Sequence, residues 1–202
     1  MGSVDGTAGS GVGGMSAAAE FQRSVAETAQ ARTDDLLAVY ADAYGAEVGD
    51  RKVTAFADRL ARAQLRPGFE VAFASTPGAG LVGFTFGYPL PAGDTHWWVG
   101  LRPGPEAGFV VETGSRTFVL AEIEVRRAFQ GGGVGRGLHD LLLAGRSEER
   151  ATLAVNPAAN TSHAIYRSWG WELAGQVPGS SGDYFDAYDL FVISLSSSAG
   201  RR

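Results

Sequence analysis

Five glycines within seven residues separate the clearest strand pattern of this chain from an amphipathic helix pattern. Thr117 to Val125 is an apolar, strand-like run, and leucines recur at helical spacing after the glycine-rich loop from Gln130 to Gly137. Glycine lets successive backbone amides turn toward one point, and a helix start adds unpaired N–H groups and the positive end of a dipole. The feature therefore predicts a strand–loop–helix unit whose loop binds a phosphate or a pyrophosphate.

The spacing of these glycines excludes two common nucleotide-binding patterns. The P-loop pattern Gly-x-x-x-x-Gly-Lys-Ser/Thr is absent because the chain contains no Gly–Lys pair. The Rossmann pattern Gly-x-Gly-x-x-Gly fails at its last glycine, which is Arg136 when counted from Gly131 and Leu138 when counted from Gly133. ATPase and dinucleotide-binding functions lose their main support, and a glycine-rich turn without a ligand remains an alternative.

Periodicity along the rest of the chain predicts one α/β (mixed α+β) domain with a mixed sheet. We expect a Gly/Ser/Ala-rich disordered leader over residues 1–20, a domain over 21–197 and a short tail over 198–202. The predicted helices start near Thr33, at Arg51, after the glycine loop and at Thr161. A short strand is expected near Phe21, and further strands are predicted at 69–74, 81–90, 117–125, 151–155, 171–177 and 185–195.

Composition narrows the class of protein further. The 202 residues are 45% hydrophobic, as in globular proteins, and carry a formal net charge of -5, which argues against a general nucleic-acid binder. No apolar stretch approaches the roughly 20 residues that span a bilayer. Cysteine is absent and no pair among the three histidines has metal-ligand spacing, so we predict no metal site. These features favour a cytoplasmic protein, with both Met1 and Met15 open as its start.

Three segments together resemble one family. Gln130 to Gly135 fits the pattern Gln/Arg-x-x-Gly-x-Gly/Ala, Ile123 to Phe129 supplies the strand that leads into it, and Asn160 to Glu172 supplies an asparagine turn, a helix with a tyrosine and a Gly–aromatic strand start. Over residues 30 to 195 the sequence resembles the GNAT superfamily of acyl-CoA-dependent N-acyltransferases. It departs from the family at Arg127, where proline is frequent, and in the six-residue step from Asn160 to Tyr166, where seven is commoner.

The resemblance implies a GNAT-like domain whose mostly antiparallel sheet splays apart at an acetyl-CoA cleft and is flanked by helices. Backbone amides of the loop would hold the pyrophosphate, and the backbones of Ile123 and Val125 would pair with the pantetheine arm like an added strand. The amide of Val125 would also polarise the thioester carbonyl. The implied cofactor-binding residues are Ile123, Val125, Gln130, Gly131, Gly132, Gly133, Val134, Gly135, Arg136, Asn160 and Tyr166.

Direct transfer to an amine needs a base for the amine proton and an acid for the departing thiolate. By the resemblance, Tyr166 is the acid, although a core tyrosine is the alternative. Glu122 and Glu124 are spaced to share one face of their strand, opposite Ile123 and Val125, and either is a candidate base. A solvated face, or simple attraction of a cationic substrate, remains the alternative for this pair.

The acceptor site is predicted outside these motifs. Aromatic and acidic residues that suit an amine with an apolar body are Trp97, Trp98, Phe84, Asp183 and Tyr184. The function expected is acetyl transfer from acetyl-CoA to a primary amine of a small molecule by direct attack. Transfer to a protein or peptide amine, or a non-catalytic acetyl-CoA-binding module, are the alternatives. The acceptor and the acyl-chain preference stay open, and the resemblance leaves a homodimer open.

Overall fold

In the computed structural model, which describes residues 18–180 and 185–195, helices and strands alternate much as the periodicity predicts. They are β1 (Glu20–Val25), α1 (Ala26–Ala31), α2 (Thr33–Tyr44), α3 (Arg51–Gln64), β2 (Glu70–Thr76), β3 (Gly80–Pro89), β4 (Thr117–Val125), α4 (Val134–Leu143), β5 (Arg150–Val155), α5 (Asn160–Ser168), β6 (Glu172–Pro178) and β7 (Ala187–Ser194). The sequence analysis did not predict α1. The predicted leader and tail lie largely outside the described residues.

The seven strands form one mixed sheet in the order β1-β2-β3-β4-β5-β7-β6. Among the described strands, β4 and β5 form the single parallel pair, and all other neighbours are antiparallel. The β4–β5 pairing covers three positions, from Thr117 opposite Arg150 to Val119 opposite Thr152. Beyond Val119 the two strands separate, so the mostly antiparallel, splayed sheet that was predicted is confirmed.

An extra residue in β4 sets which side chains face which side of the sheet. Phe86 of β3 pairs with Glu122 and Gly87 pairs with Leu120, so Ala121 is bulged out of the pairing. A bulge shifts the alternation of side chains by one position. Glu122 and Glu124 therefore lie on the face covered by α2 and α3, and Ile123 faces α4 with the second core cluster.

Large apolar side chains hold the helices against the two faces. On one face, α2 and α3 bury Leu36, Phe56 and Leu60 against Phe84 and Phe86 of β3. The spacing of the apolar residues in α3 follows the helical period that the sequence showed. On the opposite face, leucines of α4 pack on β2, β3 and β4. This sandwich fixes the ends of β4 and α4 relative to each other.

Glycine at position 137 allows α4 to approach the edge strand β1. A Cβ added to Gly137 would lie 2.5 Å from the ring of Phe21, closer than two carbon atoms can approach. A larger residue at this position would require the ring of Phe21 to move off α4.

The long segment between β3 and β4 is packed onto the sheet by a buried polar network. Glu112, whose side chain is fully buried, accepts hydrogen bonds from Trp98 Nε1 (2.9 Å) and Thr117 Oγ1 (2.8 Å). Arg150 Nη2 lies 3.1 Å from Glu112 Oε1. The network makes this segment a covering layer over β4 and β5.

Thr33 begins α2, as predicted, but its side chain does not cap the helix. Thr33 lies inside the first turn of α2, and its hydroxyl donates to the carbonyl of Gln30 (2.9 Å) instead of accepting a backbone N–H. The cause is α1, which runs directly into α2 and leaves no extended residue for a side-chain cap.

Within the described part of the chain, no helix has the length and apolar character required to cross a bilayer.

Candidate functional site

The separation of β4 from β5 leaves backbone groups of β4 without a strand partner. Arg126 N–H donates to the carbonyl of Val82 on β3 (2.8 Å). Because hydrogen-bonded positions alternate in an antiparallel pair, Ile123 and Val125 direct their N–H and C=O groups away from β3 and toward the gap. Gln130 Nε2 donates to the Val125 carbonyl (2.9 Å), which closes the end of β4 onto the glycine loop.

The glycine loop exposes a run of unused backbone donors. Gly131 and Gly133 adopt φ values of 74° and 85°, in the left-handed region that favours glycine, and α4 begins directly afterwards without a side-chain cap. None of the six N–H groups from Gly131 to Arg136 donates a hydrogen bond to another described residue. A Cβ added to Gly131 or Gly133 would meet nothing within 4 Å, so the loop is open. The donors and the open space fit a pyrophosphate.

The two acids of β4 form a closely coupled pair beneath α2 and α3. Glu122 Oε2 lies 3.4 Å from Arg59 Nη2, and the Glu122 side chain is 15% exposed. Burial raises the pKa of Glu122, and Arg59 opposes that rise. Burial also raises the pKa of Glu124 well above its ordinary value, and the charge of Glu122 adds to the rise. In the described part of the chain Glu122 has an ion-pair partner in Arg59 and Glu124 has none, so Glu124 is the better candidate for a proton acceptor.

Tyr166 lies on α5 with its ring half-buried against the edges of Trp169 (5.8 Å) and Trp171 (6.1 Å). Burial is the largest cause of a raised pKa of its hydroxyl, and the charges of Glu124 and then of Glu122 raise it further. The raised pKa keeps this hydroxyl protonated at neutral pH. No described residue forms a hydrogen bond with it, so it is available as a donor.

A chain of hydrogen bonds behind the loop holds the first turns of α4. Arg136 Nε contacts both carboxylate oxygens of Asp140 (2.8 and 2.7 Å), and Asp140 Oδ1 lies 2.8 Å from His139 Nδ1. The other imidazole nitrogen, Nε2, accepts from Trp171 Nε1 (2.9 Å).

Asn160 begins α5, with its N–H donating to the carbonyl of Ala158 (3.0 Å). In residues 18–180 and 185–195, no group of three potential metal ligands lies together.

The structure separates the predicted acceptor residues. Phe84 is fully buried in the core below α2 and α3, and Trp98 is 3% exposed and bonded to Glu112, so neither ring offers a free surface. Trp97 is half-buried and donates to Thr152 Oγ1 (3.1 Å), where the β4–β5 pairing ends. Asp183 and Tyr184 lie outside the described residues.

Sequence reasoning missed the side chains that surround the acidic pair from above. Tyr40 stacks on Phe56 with ring centroids 4.0 Å apart, and Lys52 Nζ lies 3.3 Å from the centroid of Tyr44. Arg59 completes the group through its contact with Glu122. Helical spacing alone could have placed Lys52, Phe56 and Arg59 on one face of α3, but nothing local indicates that this face meets β4.

Several solved structures with this arrangement are described as acetyltransferases. An aminoglycoside 6'-acetyltransferase type Ii superposes with a TM-score of 0.59 at 15% identity, covering 88% of this chain and 97% of its own. A GNAT superfamily phosphinothricin acetyltransferase from Sinorhizobium meliloti, solved with acetyl-CoA, gives 0.55 at 15% identity, covering 91% and 92%. A GNAT-family protein from Desulfovibrio desulfuricans gives 0.58 at 16% identity, covering 89% and 100%.

The chain therefore has the GNAT fold, as its sequence motifs predicted. No protein-family model matches the sequence, and no curated protein matches it significantly. The similarity is in the fold, and identities of 15–16% carry no further information about the substrate.

Proposed function

We propose that this protein is an N-acetyltransferase that transfers the acetyl group of acetyl-CoA to a primary amine of a small molecule by direct attack. The observation that carries the proposal is the run of six unused N–H donors from Gly131 to Arg136. It lies at the junction of β4 and α4, beside the gap where β4 and β5 separate. Donors at a helix start suit a pyrophosphate, and the free edge of β4 suits an extended amide arm.

Acetyl-CoA would supply a thioester-activated acetyl group, and the chain would supply the proton transfers. Glu124, with its raised pKa, accepts the proton of the incoming amine. Tyr166, whose hydroxyl stays protonated, donates to the departing thiolate. Arg59 contacts Glu122 and favours its ionised form, and the charge of Glu122 in turn raises the pKa of Glu124.

The buried acids support catalysis over cofactor binding alone. A module that only senses acetyl-CoA needs the glycine loop and the free strand edge, but not a desolvated carboxyl pair near a protonated tyrosine. Burial of Glu124 costs stability, which a site that performs proton transfer explains.

Calorimetric titration of acetyl-CoA tests cofactor binding first. We expect saturable binding to the wild type and its loss in Gly133→Trp, because the indole would fill the space in front of the loop. Gly108→Trp is the matched control, since Gly108 has a similar φ of 87°, a Cβ there also meets nothing within 4 Å, and it lies outside the loop. If the wild type does not bind acetyl-CoA at millimolar concentration, the proposal is wrong.

Release of CoA in the presence of a panel of primary amines then tests transfer. Amine-dependent release that Glu124→Gln reduces and that yields an N-acetylated product supports the proposed reaction. Tight acetyl-CoA binding without release by any amine would instead support the non-catalytic alternative.

A further inference from the structure

Two cations of α3, Arg59 and Lys52, lie over Glu122 and Glu124. Each keeps N–H donors that no described residue accepts. Arg59 makes both of its polar contacts through Nη2, to Glu122 Oε2 (3.4 Å) and to the Tyr40 hydroxyl (3.3 Å). Its Nε and Nη1 have no acceptor among the described residues, and its side chain is 42% exposed. The guanidinium therefore keeps free N–H donors beside the candidate base, on the face that an acceptor must approach.

Lys52 is the second cation of α3 near the acids. Lys52, the single lysine of the chain, lies with Nζ 3.3 Å from the centroid of Tyr44 and has no ion pair within the described part of the chain. Burial lowers the pKa of its ammonium group, and the charges of Glu124 and Glu122 oppose that shift. The ring of Tyr44 lies 4.7 Å from that of Tyr40, whose hydroxyl contacts Arg59, so the two cations lie on neighbouring rings.

The positive charge of this region exceeds the negative charge once Glu124 holds a proton. Lys52 and Arg59 then face the single charge of Glu122. An acceptor amine that has passed its proton to Glu124 leaves the site in this state, with one unbalanced cation. An anionic group on the acceptor would remove the imbalance, and a carboxylate matches the donor geometry of a guanidinium.

We propose that the acceptor is a primary amine that also carries a carboxylate, which Arg59 binds through its free N–H groups with Lys52 beside it. This inference rests on the proposed transferase function. The amine of such an acceptor would lie toward Glu124 and its carboxylate toward α3. Arg59 would then be a specificity-determining residue that the sequence motifs of the fold do not contain.

Matched acceptor pairs that differ only in the carboxylate test the inference. The pairs are phenylalanine with phenethylamine, tyrosine with tyramine, and leucine with isoamylamine, each assayed for CoA release by the wild type. We expect kcat/KM to be about tenfold or more higher for the carboxylate-bearing member of at least one pair, the change that one good charge-assisted contact produces. Equal or better use of the decarboxylated amines overturns the carboxylate inference and leaves the transferase proposal standing.

Variants separate a role in recognition from a role in folding. Arg59→Gln should bring the ratio of kcat/KM values within each pair close to one. Lys52→Met should lower that ratio less. Arg62→Gln, an exposed arginine one turn further along α3, should keep the wild-type preference. An unchanged preference in both Arg59→Gln and Lys52→Met contradicts the inference, and the Lys52 variant decides the matter if Arg59→Gln does not fold. No release of CoA with any member of any pair, despite acetyl-CoA binding, overturns the transferase proposal itself.

Discussion

Trp171 donates its indole N–H to Nε2 of His139 across 2.9 Å, and this bond fixes the protonation of a buried imidazole. Since Nε2 accepts, the proton of the neutral ring must lie on Nδ1, where it is donated to Asp140 (2.8 Å). The contact joins α4 to the start of β6, behind the glycine loop. It is part of what holds the loop in its observed shape.

Stability should fall at mildly acid pH because of His139. Burial lowers the pKa of its imidazole below the ordinary value, although Asp140 opposes the shift. The unfolded chain therefore takes up this proton first, and the contribution of His139 to stability is complete above the unfolded pKa and declines as the pH falls below it. Urea unfolding at about pH 7.5 and about pH 5.5 measures this, around the ordinary histidine pKa. His139→Gln should lose less stability than the wild type between the two, and an equal loss would contradict the assignment.

Glu124→Gln should lower kcat roughly 100-fold or more, the usual contribution of a positioned base, with little change in the acetyl-CoA dissociation constant. Because burial raises the pKa of Glu124, wild-type activity should fall with decreasing pH through a pKa above that of an ordinary carboxyl group. Steady-state kinetics across pH gives both quantities. Glu122→Gln is the matched control and should cost less, and the reverse ranking would make Glu122 the base.

Tyr166→Phe should lower kcat while leaving acetyl-CoA binding intact, because it removes the donor for the thiolate and keeps the ring between Trp169 and Trp171. Burial raises the pKa of this phenol, so the wild type should show no loss of activity from its ionisation below about pH 10, the ordinary tyrosine pKa. Measuring kcat of the wild type and the variant across pH, with a good and a poor acceptor, checks both expectations. An unchanged kcat where chemistry limits the rate excludes the acid role.

Gly133→Ala should destabilise the protein by about 1–2 kcal/mol, since the residue adopts a φ of 85° that Cβ disfavours. Gly132→Ala is the matched control at the neighbouring position, whose φ is not in that region and where a Cβ would lie 3.6 Å from the carbonyl oxygen of Phe129. Denaturant unfolding and acetyl-CoA titration of both variants measure the difference. Equal stability of the two would show that the loop conformation carries no strain at Gly133.

Glu112→Ala should cost about 3–5 kcal/mol, because it leaves Arg150 buried without its carboxylate partner and removes the acceptor for Trp98. Glu106→Ala, an exposed acid of the same segment, should have little effect. Thermal unfolding of the two variants provides the comparison. A small effect at Glu112 would mean that the segment is not held by this network.

Local patterns predicted most of the fold. The nine residues of β4 and the start of α3 match their periodic signals, because both elements bury one regular face. The α/β class followed from periodicity along the chain, and the family resemblance implied the splayed, mostly antiparallel sheet. What local patterns could not give was α1, a six-residue helix too short to show a period, and the true partner of the Thr33 hydroxyl.

The candidate site divides in the same way. The glycine loop could be read from the chain, since left-handed φ values and a helix start are properties of consecutive residues. The environment of Glu122 could not, because its contact with Arg59 joins positions 63 residues apart. The same limit led to Phe84 and Trp98 as acceptor residues, since whether an aromatic ring is core or pocket depends on what packs over it.

By itself, the sequence of this protein determined a strand, a loop of free amide donors and a helix, because backbone conformation there depends on neighbouring glycines. Tertiary structure alone decided that α3 brings two cations over the acids of β4, and that the bulge at Ala121 turns Glu122 and Glu124 toward them. The physical reason is that burial and charge pairing are set by contacts between distant segments. Those contacts raise the pKa of Glu124 and give an ordinary pair of strand acids its chemistry.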